Sequence, residues 1–233
     1  MMITFSGLDG AGKSTLIQDL QLFLEHKNHP TTILTMYDDI TFYSMIRKIR
    51  DHIKTWLGRP VGNTLPDPWA LPLPSTINQP KTDTSDKSGW LAKLVYHIFR
   101  SHFVRSLCLF LDLLILLLYR FREETLKARI LITDRYLYDS LVDTLDIRSK
   151  GTWFVRFFLH LAPTPEVPVF VDVPAEMAFQ RKQEYAIDYM RWRRDAYLNL
   201  FQEVKAPLIL PNENLEQATQ TLKDFVQQRI LQK

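Results

Sequence analysis

The sequence has a single cysteine, no large excess of either charge and no apolar run long enough to cross a membrane. Because Cys108 has no partner within the chain, no intramolecular disulfide can form, which is typical of a reducing compartment. The 29 basic and 26 acidic residues give a formal net charge of +3, which reflects scattered Lys and Arg more than the dense basic arm of a nucleic-acid-binding protein. We therefore expect a cytoplasmic protein with no nucleic-acid partner.

The amino-terminal residues also lack the charged and apolar regions of a secretion signal, since a strand-like run begins at once. The most apolar segment is "LCLFLDLLILLLY", which runs from Leu107 to Tyr119 and is interrupted by Asp112. A membrane-spanning helix needs about 20 apolar residues. We expect a buried core helix or an oligomer-interface helix here rather than a span, with association at a membrane surface as an alternative.

What the sequence does contain is a series of short apolar runs separated by helical patterns. The runs are "MITFSG", Thr31 to Tyr37, "ARILITDRY" up to Asp134, Val167 to Val173, and Ala206 to Pro211. Near-continuous Val, Ile and Leu in such runs predict a parallel α/β sheet covered by helices on both faces. Ligands of these sheets bind at the carboxyl ends of the strands. The length favours a single domain over residues 1–233.

Two local signals add detail to this pattern. Asn214, with Gln217 three residues later, predicts the start of the last helix, because an Asn side chain can cap the first free amides. The segment from about 58 to 90 predicts a long loop-rich insertion, since prolines interrupt regular structure. These prolines are Pro60, Pro66, Pro68, Pro72, Pro74 and Pro80.

A glycine-rich motif follows the first strand. Gly7, Gly12, Lys13 and Ser14 fit G-x-x-x-x-G-K-[ST], in which backbone amides hold phosphates, the lysine reaches the β and γ oxygens, and the hydroxyl ligates Mg²⁺. The motif predicts a P-loop three-layer fold that binds ATP with Mg²⁺. The expected ATP-binding residues are Gly7, Asp9, Gly10, Ala11, Gly12, Lys13, Ser14 and Thr15.

Three strings together resemble the thymidylate kinases and the wider nucleoside monophosphate kinase group. They are "FSGLDGAGKST", "ITDRYLYDSL" and "VDVPAEMAFQRKQEY". The resemblance implies a five-stranded sheet in the order 2-3-1-4-5 and a lid at about 181–191, after the fourth strand. It also implies transfer of the γ-phosphoryl group of ATP to dTMP or a related nucleoside monophosphate.

The resemblance further implies roles for individual residues. Asp9 would contact the sugar of the acceptor, Arg135 would hold its phosphate beside Tyr136, and Asp134 would lie near the Mg²⁺ with Ser14. An alternative is that Asp134 and Arg135 merely pair with each other or cap a helix.

Some thymidylate kinases carry an arginine in the loop, at positions occupied here by Gly10 and Ala11. The resemblance therefore implies that catalytic cations come from the lid, with Arg181 and Lys182 as candidates. Further basic residues follow at Arg191, Arg193 and Arg194. A solvated helical face of charged residues is the alternative for this whole basic segment.

The sequence departs from the family on the acceptor side. "MYDDITF" replaces the family's arginine-containing run after the second strand, and Leu111, Asp112 and Leu113 replace its Ala-Asp-Arg triplet. A phosphate-binding arginine and a second substrate-binding arginine of the family are therefore missing. Tyr37 and Asp38 stand in the expected substrate region, and Asp38 or Asp39 could act as a base toward an alcohol.

Three hypotheses follow for the function. The first is a kinase of dTMP or a related monophosphate. The second is a P-loop kinase of an alcohol, such as a nucleoside, a sugar or a lipid-linked intermediate. The third is an ATP-binding switch without small-molecule kinase activity. The resemblance also favours a homodimer formed through the apolar helix near 107–119.

Overall fold

The computed structural model of the chain describes residues 1–36, 102–144, 152–183 and 185–231. The chain divides into two compact units, Met1–Thr41 with Leu113–Lys233, and Phe42–Asp112. In the second unit the described residues, 102–112, are helical. Tyr37, Asp38, Asp39 and the 58–90 insertion lie outside the described residues, and the single-domain expectation stays a prediction.

The first unit is built on a five-stranded sheet in the order β2-β3-β1-β4-β5. Its strands are β1 (Met2–Ser6), β2 (Thr31–Thr35), β3 (Ile130–Asp134), β4 (Val167–Asp172) and β5 (Leu208–Pro211). Every neighbouring pair is parallel. The predicted α/β class and the 2-3-1-4-5 order are therefore confirmed.

Both faces of the central strand are covered. All five residues of β1 are buried, and alternate side chains of a strand point to opposite faces of a sheet. Helices must therefore pack against both sides of β1, as its apolar sequence predicts. Phe5 lies opposite Asp134, and Asp172 lies opposite Pro211, so the carboxyl ends of the strands form one edge.

Seven α-helices are described. They are α1 (Lys13–His26), α2 (His102–Arg120), α3 (Leu137–Thr144), α4 (Thr152–Leu161), α5 (Ala175–Arg181), α6 (Ile187–Phe201) and α7 (Leu215–Leu231). A π-helical turn, Phe121–Leu126, continues α2 toward β3. The Asn214 cap of α7 is confirmed, since its side-chain oxygen accepts hydrogen bonds from the amides of Glu216 and Gln217 at 3.0 and 3.3 Å.

The apolar helix α2 is amphipathic in the part that belongs to the first unit. Leu113 and Leu116 are buried, whereas Leu114, Leu117 and Leu118 are 46%, 41% and 64% exposed. Within the described ranges, none of the helices combines the length and the apolar character that a membrane crossing requires. Burial of the face that carries Leu113 and Leu116 accounts for some of the apolar residues in this segment.

Candidate functional site

The candidate site lies where β1, β3, β4 and β5 end. The loop of residues 7–12, here called the glycine loop, connects β1 to α1. Gly7, Gly10 and Gly12 all have positive φ, at 144°, 86° and 85°. Glycine adopts this region without the steric cost that a side chain brings.

Two of these glycines are also required by close packing. A Cβ on Gly7 would lie 2.6 Å from the carbonyl oxygen of Val171, and one on Gly10 would lie 2.5 Å from that of Ala178. The loop is thus pressed against β4 and α5, and α1 begins at its end. A helix amino terminus offers free amides and a favourable dipole to an anion.

Lys13 is buried, and its ammonium group is held by the glycine loop itself. Its Nζ donates hydrogen bonds to the carbonyl oxygens of Gly7 and Leu8 at 2.9 and 2.8 Å. Burial lowers the pKa of Lys13 to about 8, and the positive charge of Arg135 acts in the same direction, against the nearby carboxylates. The positive charge is therefore costly in this position, and an anion would compensate it.

Ser14 and Asp134 lie side by side at the start of α1 and the end of β3. The Oγ of Ser14 is 3.5 Å from Oδ2 of Asp134. The other oxygen, Oδ1, is buried and has no hydrogen-bond partner among the residues that the structure describes. Burial raises the pKa of Asp134 above its ordinary value, against the lowering effect of Lys13 and Arg135. A buried carboxylate oxygen without a donor fits a hydrated cation.

These two residues fit Mg²⁺ even though they do not form a dense acidic cluster. Among the described residues, no group of three or more His, Cys, Asp or Glu side chains could hold a metal. Mg²⁺ at nucleotide sites is bound by one or two carboxylates together with phosphates and waters. One carboxylate and one hydroxyl next to a phosphate-binding loop are therefore sufficient.

Asp9 projects from the glycine loop between two arginines. Arg135, at the end of β3, pairs with Oδ1 of Asp9, and Nη1 of Arg193, on α6, lies 3.8 Å from Oδ2. Burial acts to raise the pKa of Asp9, but Arg135, Lys13, Arg193 and Lys182 together hold it below its ordinary value. Asp9 is therefore ionised at neutral pH.

Arg135 has an unusual backbone conformation. Its φ is 69°, a left-handed value that costs roughly 1–2 kcal/mol in a residue with a side chain. Its amide donates a hydrogen bond to the carbonyl oxygen of Phe5 at 2.9 Å. Non-glycine residues held in this region are concentrated at functional sites.

Asp139, on α3, is a buried centre of hydrogen bonds. It is 0% exposed and accepts hydrogen bonds from the hydroxyl groups of Ser6 and Tyr197 at 2.6 and 2.7 Å, and from the amide of Tyr136 at 3.0 Å. Its Oδ1 is 3.7 Å from Nη1 of Arg135. We did not predict a role for Asp139 from the sequence.

The later basic residues do not form one solvated face. Arg191 pairs with Glu176 and Asp188 and is 55% exposed at its side chain. Arg194 forms a bidentate pair with Asp172, at 2.7 and 2.9 Å. Arg193 alone among the three is buried and reaches the glycine loop.

The predicted lid begins at the end of α5. Arg181 is exposed, and its Nη1 donates a hydrogen bond to the carbonyl oxygen of Gly10 at 3.4 Å. Lys182 is also exposed and is close enough to Asp9 to lower its pKa. The chain is extended at Lys182, and α6 starts at Ile187. Both candidate cations therefore lie at the glycine loop.

Asn212, directly after β5, also belongs to this edge. Its side chain is 2% exposed and donates a hydrogen bond to the carbonyl oxygen of Ala11 at 2.7 Å. A Cβ on Gly12 would lie 2.6 Å from the same amide nitrogen. We did not predict Asn212 from the sequence, although its position at the end of an apolar strand was a usable signal.

No family model matches this chain. No curated protein matches it either. Its chemistry must therefore be inferred from the residues and their geometry.

The structure brings most of the predicted site residues to one edge of the sheet. Ser14 and Thr15 are exposed there, at the start of α1. Tyr136 is different, because its side chain is 0% exposed and its hydroxyl donates to the carbonyl oxygen of Pro163 at 2.6 Å. Tyr136 therefore lies in the core, and its role in substrate binding stays a prediction. Tyr37 and Asp38 lie outside the described residues.

Proposed function

We propose that this chain is an ATP- and Mg²⁺-dependent phosphotransferase with a P-loop fold of the thymidylate kinase type. Its acceptor is dTMP or a related nucleoside monophosphate. The observation that carries the proposal is the meeting of a glycine cradle, a buried lysine and a carboxylate–hydroxyl pair at one strand edge. Phosphoryl transfer depends mainly on positioning and charge neutralisation, and this set of groups supplies both.

On the donor side, backbone amides of the glycine loop and of the first turn of α1 would hold the phosphates of ATP. Lys13 would exchange its hydrogen bonds to Gly7 and Leu8 for phosphate oxygens. Ser14 and Asp134 would hold Mg²⁺, which when bound neutralises charge on the transferring group. Arg181 and Lys182 are positioned to approach the same phosphates from α5, since Arg181 already reaches Gly10.

On the acceptor side, Asp9 would accept a hydrogen bond from a sugar hydroxyl. Arg135 would bind the acceptor phosphate, because a guanidinium can present two parallel N–H groups to phosphate oxygens. The strained backbone of Arg135 and its pairing with Asp9 keep this side chain at the loop. Acceptor and donor phosphates would then meet beside Lys13.

A phosphorylation screen tests the proposal. The full chain is incubated with ATP, Mg²⁺ and a panel of nucleoside monophosphates and their nucleosides, sugars and lipid-linked alcohols, and products are identified by mass spectrometry. We expect a nucleoside diphosphate whose formation requires Mg²⁺. Phosphorylation of an alcohol alone would support the second candidate acceptor class. Nucleotide-dependent signalling without any phosphorylated product would instead support the switch.

We also propose that the chain forms a homodimer through the apolar helix near 107–119. Leu114, Leu117, Leu118 and Phe121 are between 41% and 64% exposed on α2 and the turn that follows it. Large exposed apolar patches commonly mark protein interfaces. Sedimentation of the full chain should give twice the monomer mass, and a monomer at all concentrations would contradict the dimer.

A further inference from the structure

A closed ring of five side chains connects the glycine loop to α6. Its members are Asp9, Arg135, Asp139, Tyr197 and Arg193, called here the Asp9 ring. Asp9 pairs with both arginines, Asp139 lies 3.7 Å from Arg135, and Tyr197 donates to Asp139 at 2.7 Å. The guanidinium of Arg193 closes the ring, 5.8 Å from the centre of the Tyr197 aromatic ring.

The position of Arg193 is held from several sides. Its side chain is only 6% exposed, and burying a cation is costly unless it is compensated by charge or hydrogen bonding. The ring of Tyr189 lies 6.0 Å from its guanidinium on the same helix. Tyr197 is itself fixed by Asp139, which also binds Ser6 at the end of β1. Arg193 is thus preorganised by packing, unlike its exposed neighbour Arg191.

Arg135 and Arg193 lie against different oxygens of the Asp9 carboxylate. Arg135 pairs with Oδ1 of Asp9, and Arg193 lies near Oδ2. Carboxylate and phosphate groups present pairs of oxygens to guanidinium forks in a similar manner. A phosphate that approached Asp9 would therefore meet both arginines, and the carboxylate could turn toward a sugar hydroxyl.

We propose that Arg193 is a phosphate-binding specificity residue, which acts with Arg135 on the phosphate of the acceptor. It would supply from α6 a cation in place of the two family arginines, one missing directly after β2 and one replaced by Leu113 in α2. This inference rests on the proposed function. Its consequence is that the acceptor is a phosphate monoester, although the two family arginines are missing.

Equilibrium binding without ATP tests this role. Nucleoside monophosphates and their matching nucleosides are titrated into the full chain, and into the variants Arg193→Met, Arg193→Lys and Arg191→Met. We expect the wild-type chain to bind at least one monophosphate more tightly than its nucleoside. Arg193→Met should weaken the binding of that monophosphate by at least about 30-fold, since removing one partner of a buried charge pair costs about 2 kcal/mol or more. Nucleoside affinity should change little.

The variants separate this role from a purely structural one. Arg193→Lys keeps the charge and should restore part of the preference for monophosphates, whereas Arg191→Met, an exposed change on the same helix, should keep all of it. Retention of the full preference in Arg193→Met would overturn the inference. So would a wild-type chain that binds no monophosphate more tightly than its nucleoside. The titration contains no ATP, so its result does not depend on phosphoryl transfer. A failure of this inference can therefore be distinguished from a failure of the proposed function in the phosphorylation screen.

Discussion

Replacement of Lys13 by methionine is expected to lower phosphoryl transfer on the order of a thousandfold, as the loss of a donor to developing charge does in other enzymes. The ammonium group is buried at the glycine loop, 2.9 and 2.8 Å from two main-chain oxygens. Methionine keeps the length and apolar stem of the side chain, so steady-state kinetics should report the loss of charge.

The pKa of Lys13 adds a second readout. Because burial lowers this pKa to about 8 in the free chain, Lys13 is largely protonated at pH 7 and largely neutral at pH 9. Bound phosphates favour the protonated form and raise the pKa. ATP affinity should therefore be constant below pH 8 and fall above it, by up to about tenfold per pH unit. The affinity of the Lys13→Met variant should be weaker and should lack this dependence.

Lys27→Met provides the matched control, since Lys27 is exposed at the end of the same helix. Its turnover and its pH profile should equal those of the wild-type chain. Thermal unfolding must show that Lys13→Met is folded. Near-normal turnover in a folded Lys13→Met variant would remove the lysine from the proposed mechanism.

The fold could be predicted from the sequence because its signals are local. The five apolar runs are short, those of β1, β3 and β4 are mostly buried, and their alternation with helices predicts parallel pairing. The Asn214 cap was equally predictable, since it acts on amides two and three residues away. The strand order came from the resemblance, because periodicity alone does not order parallel strands.

The position of the glycine loop between β1 and α1 was also predictable, since the motif from Gly7 to Ser14 is contiguous. The Asp9 ring was not, because its members come from separate elements and their contacts depend on tertiary packing. Asp139 is an example of a residue whose contacts could not be predicted. The sequence shows an acid in α3, but it does not show the three hydrogen bonds that this buried carboxylate accepts. Tyr136 is a second example, because it belongs to the same motif as Arg135. Arg135 reaches the glycine loop, whereas the ring of Tyr136 lies in the core.

Asp134→Asn is the second change with a large expected effect. We expect turnover at limiting Mg²⁺ to fall by about 10- to 100-fold, the range found when groups that support a metal are removed. Oδ1 of Asp134 is buried and has no hydrogen-bond partner in the described part of the chain, and Oδ2 faces Ser14. Asparagine keeps the shape and one acceptor oxygen but loses the negative charge. The Mg²⁺ concentration at half-maximal turnover should therefore rise.

The stability of this variant should move in the opposite direction to its activity. Because burial raises the pKa of Asp134, the folded chain binds this proton more tightly than the unfolded chain does. The ionised carboxylate at pH 7 thus lowers the free energy of unfolding, and the cost appears as pH rises through the ordinary and then the raised pKa. Asp134→Asn removes this cost, so denaturant unfolding without nucleotide should show equal or greater stability.

Asp172→Asn is the control for a carboxylate at the end of a neighbouring strand. It breaks the bidentate pair with Arg194, so it should lower stability while leaving the Mg²⁺ requirement unchanged. An unchanged Mg²⁺ requirement in Asp134→Asn would exclude Asp134 from the metal site. A loss of activity that only follows a loss of stability would instead assign Asp134 a structural role. The combination of gained stability and lost Mg²⁺ response is therefore specific to a carboxylate retained for binding a cation.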